Sequence, residues 1–164
     1  MSRDRTRTGR VVQVSVSAGG VPKKPVDEAR VSPPGLEGDA HRDTVHHGGP
    51  ERAVCVYALE AIEALNAEGH RLFPGAIGEN LTVEGLEWAE VTPGSRLHVG
   101  DDVVLEVTRY TSPCANIRAS FRDGDYARVS QKVHPGWSRV YTRVLRGGVV
   151  RRGDRVLLEA PAPR

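Results

Sequence analysis

Over the second half of VVQVSVS (residues 11–17), valine alternates with polar residues, the period of a half-buried strand. RAVCVY (52–57) is apolar through its centre and reads as a strand buried on both faces. ALEAIEALNAEG places Leu59, Ile62 and Leu65 on one helical face and ends at a glycine. This predicts the longest helix, over about residues 59–68. GENLTVEG, SRLHVG, DVVLEVTRY and RVYTRVL are strand-like and are separated by glycine or proline. CANIRASF and YARVSQKV read as short helices, and DEARVSPPGLEGD as the approach to a polar loop. The pattern Gly-Asp-x-Val-x-Leu-Glu occurs twice, at Gly100 and at Gly153, each time turning the chain into a strand. Many short strands with few helices predict a mainly β fold, a mostly antiparallel barrel with a few short α-helices. Residues 1–9 read as a disordered tail, 10–160 as one domain and 161–164 as a C-terminal tail.

Composition narrows the function classes. At 164 residues the chain fits one domain with a single sizeable core, and valine, leucine and alanine make that core aliphatic. A net charge of +2 implies no strong affinity for polyanions, so nucleic acid is not an expected partner. Of the 23 basic residues only Lys23, Lys24 and Lys132 are lysines. A genome rich in G and C would give that excess of arginine with no functional meaning, although the planar guanidinium also suits phosphate groups. The start, MSRDRTRTGR, has no apolar stretch, and no apolar run approaches the ~20 residues of a membrane helix. The expectation is a cytoplasmic protein with no membrane partner.

The candidate chemistry sits in two places. GLEGDAHRDTVHHGG (35–49) holds three of the six histidines, two aspartates and no apolar run. Three readings of it are open: a metal site, a binding loop for an anionic cofactor, or a polar loop tied down between strands. Two cysteines can form neither a disulfide framework nor a four-cysteine zinc site. Cys55, between valines, reads as an inert buried hydrophobe. Cys114 follows Pro113 and opens a predicted helix, where free N–H groups favour a thiolate, with Arg109 and Arg118 nearby in sequence. A reactive and a structural Cys114 both remain open on these residues.

GLEGDAHRDTVHHGGPERAV, GAIGENLTVEGL, GSRLHVGDDVVLEVTRYTSPC and GWSRVYTRVLRGGVVRRGDRV, in that order, resemble the MOSC domain, the family named for the C-terminal part of molybdenum cofactor sulfurases. VSAGGVPKKPV upstream resembles the start of small stand-alone bacterial members, and the likeness runs over about residues 10–159. It implies a β-barrel with a pocket for the molybdenum cofactor, a pterin bearing a dithiolene and a phosphate. Cys114 matches the family's cysteine, which carries sulfur or ligates molybdenum. Asp39, His41 and His47 match the GD-x-H and HGG positions and would hydrogen-bond the pterin or relay protons, so Asp39 and His47 join Cys114 as catalytic candidates.

The same resemblance implies roles for other positions. Gly38, Gly48 and Gly49 would let the backbone approach the cofactor, Glu79 and Asn80 would line the pocket, and Lys23 would neutralise the phosphate. Many relatives carry arginine where this chain has Thr111, and Arg109 is the candidate substitute. On this reading replacing Asp39 or His47 harms cofactor retention more than stability. Relatives reduce N-hydroxylated compounds or handle sulfur. Pyridoxal phosphate belongs to a separate desulfurase domain and is not expected here. With no iron–sulfur cysteines, reduction of a small-molecule substrate would need an external electron donor or reductase. Two alternatives stand beside this: a metal-dependent hydrolase built on Asp39, His41 and His47, and a non-catalytic cofactor carrier.

Overall fold

A computed structural model describes residues 7–40 and 49–163. Its strands are β1 (Thr8–Val16), β2 (Lys24–Val26), β3 (Glu28–Ser32), β4 (Gly35–Leu36), β5 (Val54–Ala58), β6 (Leu81–Glu84), β7 (Arg96–Val99), β8 (Val103–Tyr110), β9 (Val140–Arg146), β10 (Gly148–Arg151) and β11 (Arg155–Glu159). The helix α1 (Leu59–Ala67) lies close to the span its apolar spacing predicts. β1 takes in Thr8 and Gly9, which the sequence pattern had assigned to the tail.

Seven strands close into a barrel in the order β1-β11-β7-β8-β9-β5-β6. Closure is made by the two ends of the described chain, with Thr8 opposite Leu157 and Arg10 opposite Arg155. β2 continues the free edge of β1, and β10, β3 and β4 form a small second sheet. The repeated Gly-Asp units supply β8 and β11, which flank β7 on its two sides. The barrel is mixed rather than purely antiparallel, because β5 and β6 run parallel with Val56 opposite Leu81. α1 is the crossover that a parallel pair requires. It carries the chain back, so that β5 and β6 both start at the same end of the barrel.

The interior is aliphatic. Val11, Val14, Val54, Val56, Leu81 and Leu105 are each at most 1% exposed and belong to one cluster. A second cluster joins α1 to the wall through Tyr57, Ile62, Leu65 and Ile77, and reaches Ile117 and Phe121. Burying one such aliphatic side chain contributes ~1.5–3 kcal/mol. β5 is buried along its whole length because Val54 and Val56 face the barrel interior, while Tyr57 and Ala58 face the second cluster. Cys55 alternates with the interior valines and belongs to neither cluster. Among the described residues no helix is long and apolar enough to cross a membrane.

Candidate functional site

Because β5 and β6 start together, Cys55 and Asn80 are neighbours. The Asn80 amide donates to the Cys55 carbonyl at 2.8 Å, and the Cys55 amide donates to Asn80 Oδ1 at 3.0 Å. Asn80 Nδ2 donates to the Ser15 carbonyl at 3.1 Å and to Asp39 Oδ2 at 2.9 Å. This one amide therefore ties β1, β5 and the stem of the polar loop. Asp39 Oδ1 also accepts from the Ser17 amide at 2.9 Å and from Lys23 Nζ at 2.7 Å. The Lys23 and Asp39 side chains are only 8% and 1% exposed, so theirs is a buried ion pair.

Across from this network, β8 ends at Tyr110, and the chain passes Pro113 to reach Cys114, which precedes a 3₁₀ turn, Ala115–Ser120. The expected helix is thus a tight six-residue turn, and YARVSQKV likewise forms a 3₁₀ turn, Tyr126–Val129. Such turns have poorer hydrogen-bond geometry than an α-helix, so the helix-end argument for the Cys114 thiol weakens. The thiol's partial exposure remains.

Lys23, Asn80 and Cys114 come together on the wall of a cavity of about 320 Å³. The wall also contains Cys55, Arg52, Arg139 and Tyr141, with Gly19, Gly20 and Gly78 among the remaining positions. Cys55 and Tyr141 face each other in register across β5 and β9. Burial pushes the Cys55 thiol up to about 12, against the opposing pull of the Arg139 guanidinium, and pushes the Tyr141 phenol up to about 12 as well. Cys55 is buried and protonated, as its apolar surroundings imply, yet it faces the cavity.

The other sequence candidates among the described residues lie off the wall. Glu79 is fully buried and does not line the cavity; Thr82 Oγ1 donates to its Oε2 at 3.0 Å. Its Oε1 has no hydrogen-bond partner among the described residues, and burial holds its carboxyl above the usual range, opposed by the backbone of Gly75 and of Glu79 itself, by Thr82 and least by Arg139. Arg109 is exposed on β8, outside the cavity wall. The Thr111 amide donates to the Arg139 carbonyl at 3.1 Å, so the cation of the wall beside Thr111 is Arg139 and not Arg109. Gly38 and Gly49 are also absent from the wall. Gly38 has φ +91° and Gly49 φ +82°, a backbone that glycine adopts freely. His41, His46, His47 and Gly48 lie outside the described residues, within which no group of three or more His, Cys, Asp or Glu could hold a metal ion.

Arg52, Arg139 and Tyr141 were not singled out from the sequence. Arg139 carried a faint signal, a cation wedged between Trp137 and the apolar start of a strand in GWSRVY.

Comparison with known proteins follows the same lines. The MOSC domain family model matches residues 43–157. YflK of Bacillus subtilis (strain 168), itself called uncharacterized, is 35% identical over 136 residues, covering 82% of this chain and 60% of that protein. A Gibberella moniliformis protein named Reductase is 35% identical over 136 residues, covering 79% of this chain and 24% of that protein. The chain therefore spans less than two thirds of either relative's length. The crystal structure of YuaD from Bacillus subtilis superposes with a TM-score of 0.73 at 17% identity, over 94% of this chain and 97% of that one. At that identity the likeness is one of fold.

Proposed function

The chain belongs to the MOSC domain family, and from that premise we propose that its cavity holds the molybdenum cofactor and serves the reduction of N-hydroxylated compounds. The observation that carries this reading is Cys114, a partly exposed thiol on a wall that also gathers Lys23, Arg52 and Arg139. The donor set fits the group. A thiolate is a soft metal ligand, the cations suit the charge of a phosphate, and the wall glycines allow close backbone approach. The volume, about 320 Å³, falls at the lower end of the roughly 300–1,000 Å³ usual for ligand cavities. When bound, the cofactor supplies a centre that exchanges electrons in pairs, which matches R–NHOH + 2e⁻ + 2H⁺ → R–NH₂ + H₂O.

The residues of the chain divide the remaining work. Cys114 holds the metal through sulfur. Asn80, fixed by its contacts to Cys55, Ser15 and Asp39, keeps that side of the wall in place. Asp39 holds Lys23 and the loop stem. Asp39 being so engaged, His47, the other acid–base candidate of the motif, would supply the protons that let the oxygen depart as water. The electrons come from an external donor, since Cys55 is buried and Cys114 is taken by the metal, which leaves no cysteine pair for an iron–sulfur cluster.

The test loads the protein with cofactor during expression, measures molybdenum by elemental analysis, and assays hydroxylamino-purine reduction with a chemical donor. Wild type should carry metal and turn over, and Cys114→Ser should lose both. Full activity in Cys114→Ser overturns the ligand assignment. A loaded wild type inactive with every donor replaces reduction with cofactor carriage.

A further inference from the structure

Among the described residues three cations line the cavity, and they are not equivalent. Lys23 is neutralised by Asp39 at 2.7 Å, with both side chains at least nine-tenths buried. Arg52 sits on a 3₁₀ turn at a partly exposed position and is engaged in an interaction of its own. Arg139 differs from both. It is 7% exposed, and the one hydrogen bond of its guanidinium among the described residues runs from Nη1 to the Ile77 carbonyl. Its Nε is buried with no partner there.

A guanidinium held through Nη1 leaves the opposite edge without a hydrogen-bond partner among the described residues. That edge, Nε with Nη2, offers two parallel N–H donors, the fork that takes a tetrahedral oxyanion bidentately. Burial holds the Glu79 carboxyl, on which Arg139 pulls, toward its neutral form, so this buried cation with an unpartnered fork on the cavity wall is matched by an anion and not by a neutral group. We propose that Arg139 is the oxyanion site of the cavity, taking the phosphate end of its ligand on the Nε–Nη2 edge. This rests on the reading that the cavity is the cofactor site, and it moves the phosphate from Lys23, whose charge Asp39 already balances, to Arg139.

Inorganic phosphate is a sufficient probe, with no cofactor present. In ¹H–¹⁵N spectra of wild-type protein at constant ionic strength, phosphate should shift the Arg139 Nε–H resonance saturably, and acetate should bind at least tenfold more weakly. Arg139→Gln should abolish saturable binding, and Arg139→Lys, which keeps the charge but not the fork, should weaken it at least tenfold. Arg146→Gln, the same charge change at an exposed position, should leave it unchanged. Should Arg139→Gln fail to fold, the wild-type titration, with its resonance assigned through Arg139→Lys, still decides. Acetate binding as tightly as phosphate overturns the ligand class. Loss of phosphate binding in Lys23→Gln but not in Arg139→Gln overturns the site. Phosphate binding at Arg139 in a protein that never acquires molybdenum sinks the cofactor reading alone.

Discussion

Replacing Asp39 by alanine tests whether the polar loop stem is held for stability or for ligand. Its carboxylate accepts from Lys23 Nζ at 2.7 Å, from Asn80 Nδ2 at 2.9 Å and from the Ser17 amide at 2.9 Å. The substitution leaves an ammonium that is 8% exposed without its counter-charge. Breaking a buried pair from one side costs ~3–5 kcal/mol. Each orphaned donor would add ~1–3 kcal/mol if fully independent. The groups share one site and do not add, so a total of ~3–5 kcal/mol is the expectation. For a chain of this size that lowers Tm by roughly 6–20 °C.

The assay is urea denaturation of the cofactor-free protein at pH 7. It is applied to wild type, Asp39→Ala, Lys23→Met and the double variant. Removing both charges should recover part of the loss, with a coupling of at least ~1.5 kcal/mol. A loss under ~1 kcal/mol in Asp39→Ala, or simple additivity in the cycle, refutes the argument. The contacts thus give this aspartate a share in stability beside the part in ligand retention that the motif implies.

Thiol labelling should modify Cys114 long before Cys55 in the folded protein. With its thiol near 12, Cys55 is only about 10⁻⁴ thiolate at pH 8, and it is buried besides; equal labelling rates by mass spectrometry would contradict this. Glu79→Gln tests the buried carboxyl. A value raised by folding contributes stability that is full below the ordinary carboxylate range and is lost as pH rises through the raised value. The variant should therefore gain on wild type in thermal melts from pH 4 to pH 8, and a gap that stays constant across that range removes the basis for the shift.

Strands with a regular period and clean boundaries were readable from residues alone. β1, β5 to β9 and α1 fall where alternation or helical spacing puts them. β3 carried the same alternation, with Ala29 and Val31 buried, but Ser32-Pro33-Pro34 beside it read as loop. β2 and β4, three and two residues long, are too short to show a period. Cys114 and Lys23 were legible as parts of motifs. The wall around them was not, because it is made by pairing between distant segments. Tyr141 reaches Cys55 only through the β5–β9 register, and Arg139 reaches the cavity from the residue just before β9. Nothing local marks one arginine among so many as the buried one.

Closure of the barrel by β1 and β11 bears on how the protein is made. Thr8 leaves the ribosome ahead of the other barrel strands and its partner Leu157 after them, so the ring stays open while the rest of the barrel is made. Until then β1 and β7 each offer a row of unpaired N–H and C=O groups to any neighbouring chain. Contacts of such long sequence separation also form slowly once the chain is complete. The nascent protein therefore passes through a prolonged, sticky, unclosed stage. A holdase chaperone that shields strand edges should raise its soluble yield more than one that accelerates local folding.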